Sequence, residues 1–110
     1  MTTLQILKRA RALIADEKNW TRDAYGYDAE GRMQTCPNQH SVCFCSVGAI
    51  AKASFTHPSD AERSDAIKPV LSAGGFDGVG ELIKFNDSHT HSEVLDLFDR
   101  AIARAESEAA

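Results

Sequence analysis

Cys43-Phe44-Cys45-Ser46-Val47-Gly48-Ala49-Ile50 is the stretch on which the fold turns. It is apolar on nearly every side, as expected of an element surrounded by protein rather than half-exposed. The run predicts a central helix from Val42 to Ser54, with Cys45–Ser54 as its buried body. Gly48 costs a helix interior roughly 1 kcal/mol relative to alanine. With Cys45, Ala49 and Ala53 it forms a small-residue face that lets another element approach closely.

Upstream, residues 3 to about 16 place Leu4, Leu7, Ala10, Leu13 and Ile14 at helical spacing, with Lys8, Arg9, Arg11 and Asp16 opposite. Thr2 or Thr3 suits the N-cap. Trp20, the only tryptophan, is expected to plug the core or cover the helix end. Large residues alternate from Tyr25 to Thr35 around Asp28-Ala29-Glu30-Gly31, which predicts a short hairpin lying on the helical body. Cys36-Pro37-Asn38-Gln39-His40 reads as a loop, because Pro37 restricts Cys36 to extended backbone.

Downstream, His57-Pro58-Ser59-Asp60 closes the central helix and starts another through Ala61 to about Ser72, which Pro69 would kink or split. Gly74-Gly75 ends it, and Asp77 is placed to cap a short helix running to Phe85. Thr90-His91-Ser92-Glu93 is a capping box opening the last helix. Val94, Leu95, Phe98, Ile102 and Ala105 form its apolar stripe, and Asp96–Arg100 is a favourable i,i+4 pair. The tail 106–110 is expected to fray. The whole reads as a single domain over 1–110: mainly α, a compact helical body with one small β-hairpin.

Bulk properties narrow the function. The chain has 110 residues, 16 acids and 12 bases, for a net charge of -4. No basic footprint invites nucleic acid. No apolar stretch approaches the ~20 residues of a membrane span, and Met1-Thr2-Thr3 does not open a signal peptide. Three cysteines cannot all pair within one chain, so free thiols in the cytoplasm are expected.

Two kinds of chemistry have candidate residues. Cys45, or Cys43, is a possible nucleophile near a helix N-terminus, with His89 or His91 as base and Asp87 or Asn86 as orienter. Against this, cysteine is among the most buried residue types, and both thiols lie in an apolar run. Cys36, His40, Cys43 and Cys45 fall within ten residues as possible zinc ligands. Their spacing matches no familiar zinc pattern, and no other cofactor is suggested. The glycines of Gly75-Phe76-Asp77-Gly78-Val79-Gly80 precede Glu81-Leu82, where a phosphate loop needs lysine and a hydroxyl, so nucleotide binding is rejected. Asn86, Asp87 and Ser88 are read more economically as turn and cap residues. His89 and His91 sit where a helix dipole disfavours their protonated forms.

Trp20, Glu30-Gly31-Arg32, Cys45-Ser46-Val47-Gly48-Ala49, Phe85-Asn86-Asp87 and the run His91 to Ala101 occur in an order that resembles a family of small uncharacterised proteins of bacterial and phage genomes. Phe85 stands where that pattern has tryptophan, and 56–76 has no counterpart in it. The resemblance spans nearly the whole chain and implies a fold class but no activity. It marks Cys45, Asn86, Asp87 and His91 as the positions to watch.

The functional expectation is a non-enzymatic interaction module that binds a protein partner or forms a homodimer, of the kind a phage or mobile element uses as an accessory protein acting on a host protein. The alternative is a small cysteine-dependent enzyme built on Cys45, His91 or His89, and Asp87. A zinc-stabilised module is third.

Overall fold

A computed structural model describes residues 2–109. Its elements are α1 (Thr3–Leu13), a 3-10 turn (Glu17–Asn19), β1 (Gly26–Asp28), β2 (Ser41–Phe44), α2 (Ser46–Ser54), α3 (Pro58–Ala61), α4 (Ile67–Gly74), α5 (Val79–Ser88) and α6 (His91–Ala109). The fold is mainly helical with one two-stranded antiparallel ribbon, as the sequence predicts. Helix α6 runs on to Ala109, through most of the tail expected to fray, while Ala110, like Met1, lies outside the described residues.

The short α2 is the centre. Val47, Ala49, Ile50, Ala51 and Ala53 are fully buried, with Ser46 and Gly48 enclosed beside them. Helix α1 packs on it through Leu7, Ala10 and Ile14, and α6 closes the body with Val94, Leu97, Phe98 and Ala101. Both long elements start with capping boxes. Thr2 Oγ1 accepts from the Gln5 amide at 3.1 Å while Gln5 Oε1 accepts from the Thr2 amide at 2.8 Å. Thr90 and Glu93 do the same at the head of α6, at 3.2 and 3.0 Å. That reciprocal pairing satisfies donors every helix otherwise leaves open.

The central helix starts later than the sequence suggests. Ser41–Phe44 is a strand, and Cys45 stands outside the helix as N-cap with extended backbone. A continuous apolar run looks alike in a buried strand and a buried helix, so periodicity alone does not place the boundary. The ribbon also differs in its second strand. β1 pairs with β2 in the register Gly26↔Phe44, Tyr27↔Cys43 and, past a bulge, Asp28↔Ser41. The 32–35 segment joins it through the single bridge Tyr27↔Met33.

Asp28 organises the turn between them: one carboxylate oxygen accepts from the amides of Glu30 and Arg32, and the other from Arg32 Nε at 2.9 Å. The Arg32 amide is the main reason this carboxyl lies below the usual carboxylate range.

Pro69 does not kink a long helix. It sits in the first turn of α4, where its missing N–H would have no partner, and the chain divides before it into α3 and α4. Gly75 ends α4 in left-handed backbone at φ 70°. Helix α5 begins after Gly78 with no side-chain cap from Asp77. It runs three residues past Phe85, carrying Asn86, Asp87 and Ser88 in its last turn.

Candidate functional site

Where the 23–25 segment, the 33–35 loop, the N-terminus of α2 and the last turns of α5 meet, they enclose a cavity of about 370 Å³. Its walls are largely apolar, formed by Ala24, Tyr25, Met33, Val47 and Ile83. Its polar groups are Asp23, Gln34, Thr35, Asn86 and Asp87, with Cys45 and Ser46 at the back. The volume is at the lower end of the roughly 300–1,000 Å³ of ligand pockets.

Gly48 lets this corner close. A Cβ there would fall on the Tyr25 carbonyl oxygen, well inside van der Waals contact. Only glycine admits the 25–26 backbone against the first turn of α2. The Tyr25 hydroxyl donates to Glu62 Oε1 at 3.0 Å. Burial, followed by that hydrogen bond and the Glu62 charge, pushes the phenol above its ordinary pKa.

Asn86 is the buried keystone behind the wall. Its Oδ1 accepts from Trp20 Nε1 at 2.9 Å, the Ser46 amide at 3.0 Å and Ser46 Oγ at 2.7 Å. Its Nδ2 donates to the Thr21 carbonyl at 3.0 Å and to Asp87 Oδ1 at 3.2 Å. The residue is 1% exposed and fully satisfied. One amide thus ties together the Trp20 segment, the start of α2 and the end of α5. The hydrogen-bonding capacity of this amide is thereby spent within the fold.

Cys45 is brought to the same wall as Asp87 and Asn86, but no base accompanies it. Its Sγ accepts from the Gly48 amide at 3.3 Å and so caps α2. Burial pushes the thiol up to about 11, with the Asp87 charge adding to the rise against the Gly48 and Val47 amides. At pH 7 such a group holds on the order of 10⁻⁴ thiolate, which leaves it a poor nucleophile.

The expected bases are engaged elsewhere. His91 Nε2–H donates to the Ile14 carbonyl at 2.6 Å, closing the C-terminus of α1, and its ring lies 5.6 Å from that of Trp20. His89 stacks on Phe85 at 3.9 Å, with Nδ1 3.0 Å from both Ser88 Oγ and the Phe85 carbonyl. Among the described residues, no histidine lines the cavity.

The four expected metal ligands do not converge. Cys43 lies on β2, Cys45 is committed to capping α2, Cys36 is half-buried beside Pro37 and His40 is exposed. Among the described residues no group of three or more His, Cys, Asp or Glu is placed to hold an ion.

Sequence reasoning missed Asp23, Tyr25, Met33 and Ile83. Asp23 is the most informative of them. Its backbone is left-handed at φ 66°, and its amide donates to Asp87 Oδ1 at 3.0 Å. Aspartate tolerates this conformation better than most residues. Its partner lies 64 positions away, so no local pattern announces it.

The fold and site define a small helical domain with a two-stranded ribbon and an apolar-walled pocket held by a buried asparagine. The chain belongs to the family of unknown function DUF6197, whose model it matches over residues 1–104. No curated protein and no solved structure matches it. No helix of the described residues is long and apolar enough to cross a membrane.

Proposed function

We propose that this protein is a non-enzymatic interaction module, and that the pocket beside Cys45 is where it holds a protein partner. One observation carries the reading: the pocket has apolar walls and a polar rim, while the thiol inside it is buried, protonated and engaged as a helix cap. An apolar floor ringed by polar groups is the anatomy of a recognition pocket for an anchoring side chain. Met33, 61% exposed at the rim, extends the apolar surface outward. Three unpaired cysteines suit a reducing compartment and so support a cytoplasmic setting for the module.

A cysteine-dependent enzyme is the second reading. Cys45 and Asp87 sharing one wall favours it, and the engagement of His89 and His91 elsewhere weighs against it.

The test is photocrosslinking in the cells of origin, with a benzophenone amino acid at Met33 or, as control, at Phe55, which is also exposed. A discrete adduct from position 33 that disappears when Thr35→Trp fills the pocket is the expected result. A second copy of this chain in the adduct would identify a homodimer. Identical adducts from both positions, or none from position 33, would overturn the reading.

A further inference from the structure

We infer that the pocket's occupant is an arginine side chain of the partner, its stem on the apolar walls and its guanidinium between Asp23 and Asp87. The inference rests on the docking role proposed above and adds its chemistry.

Both carboxylates line the pocket. The Asp23 amide donates to Asp87 Oδ1 at 3.0 Å, which holds the backbone of one acid against the carboxylate of the other. Among the described residues Asp87 Oδ2 accepts no hydrogen bond, the Asp23 carboxylate accepts none, and neither acid forms an ion pair. The neighbouring cation is turned away. Arg22 lies 4.8 Å over the Trp20 ring and donates to the His89 carbonyl. The other nearby arginine, Arg32, is held by Asp28 and Glu30. Glu62, behind the Tyr25 hydroxyl, adds a third negative charge close to the wall. The pocket therefore presents uncompensated negative charge beside an apolar surface.

That combination selects the occupant. A guanidinium is planar, weakly hydrated and forked, so it pairs with two adjacent carboxylates while three methylenes lie on Ala24, Met33 and Ile83. An ammonium is a point charge that keeps its water more tightly. A neutral apolar side chain would leave the carboxylates without a partner. Exposed apolar surface on Met33 and the rim groups of Gln34 and Thr35 continue the contact beyond the cavity, which fits a side chain carried on a polypeptide better than a free small cation.

Amide-detected NMR of the full chain, titrated with N-acetyl-arginine-N-methylamide, tests this. Matched titrations use the citrulline and leucine derivatives. The arginine probe is expected to shift the amides of Asp23, Ala24 and Asp87 and to bind about ten-fold more tightly than citrulline, the uncharged isostere. Asp23→Asn with Asp87→Asn is expected to remove that preference, while the charge-matched Glu106→Gln with Glu108→Gln leaves it. Asp23→Asn alone, at an exposed side chain without hydrogen bonds, gives a partial loss and covers any folding defect of the double variant. Equal binding of citrulline or leucine at the same amides would overturn the arginine assignment and leave the docking pocket standing. Silence of these amides to all three probes would overturn the assignment, and the crosslinking result would decide the docking role separately.

Discussion

The carbonyl oxygen of Tyr25 occupies the space in which any side chain at Gly48 would begin. The turn into the ribbon and the first turn of the central helix are therefore in backbone contact, and the pocket is built on that contact. Gly48→Ala gains about 1 kcal/mol of helix propensity. It must also push two backbone segments apart, and such overpacking typically costs about 1–3 kcal/mol or more. A net loss on the order of 2 kcal/mol is expected in urea unfolding. An unchanged midpoint would show that the corner yields without cost.

Asn86 offers a sharper test because it serves three segments at once. Asn86→Ala strips the acceptor from the Trp20 indole and from Ser46, and each stranded buried group costs about 1–3 kcal/mol. Asn86→Asp keeps the acceptor but sets a carboxylate against the Thr21 carbonyl and Asp87. Both variants are expected to lose stability in thermal melts. Tolerance of Asn86→Asp would mean the Nδ2 bonds contribute little.

The Cys45 thiol is expected to resist a brief iodoacetamide pulse at pH 7, with labelling rising only toward pH 11. Cys36 and Cys43, both half-buried, should label sooner. Rapid labelling of Cys45 near neutrality would favour the enzyme reading. Cys45→Ser should keep the cap on α2 with little loss, whereas Cys45→Ala forfeits it at about 1 kcal/mol.

The same thiol ties stability to alkaline pH. Its folded value of about 11 exceeds the ordinary 9.0, so the folded chain keeps a proton the unfolded chain has released. Stability from this source is complete below pH 9 and is lost as pH rises toward 11, about 3 kcal/mol in all. Tyr25, also raised, acts in the same direction. Urea midpoints across pH 8–11 should therefore fall more steeply in the parent than in Cys45→Ser, and Tyr25→Phe should flatten the remainder.

His91 is expected to matter to stability through its ring nitrogen. His91→Phe retains an aromatic ring beside Trp20 but withdraws the donor from the Ile14 carbonyl, at an expected cost of about 1–2 kcal/mol. An unaffected melting temperature would show that this end of α1 is satisfied in another way.

Local chemistry was legible in the sequence where its partners lie within a few residues. Thr90 and Glu93, the glycine stop at Gly75 and the amphipathic stripe of α6 are all of this kind. Trp20 was expected to plug the core or cover a helix end, and it packs half-buried on the core with its ring 5.6 Å from that of His91, the residue that closes the α1 terminus. Pairings across the chain were not legible. Tyr27 pairs with Cys43 rather than chiefly with its hairpin neighbour Met33, because burial of Phe44 and the turn at Asp28 decide the register. Asn86 and Asp87 stood out as positions, but what they hold depends on Trp20, Asp23 and Ser46, each forty or more residues away. The pocket became visible only when those distances closed.

Trp20 is the only tryptophan in the chain, and its indole N–H reaches Asn86, which in turn reaches Asp87. The molecule thus carries its own reporter. A ligand that moves Asp87 perturbs, two hydrogen bonds away, the one indole whose fluorescence and proton resonance stand apart from everything else in the spectrum.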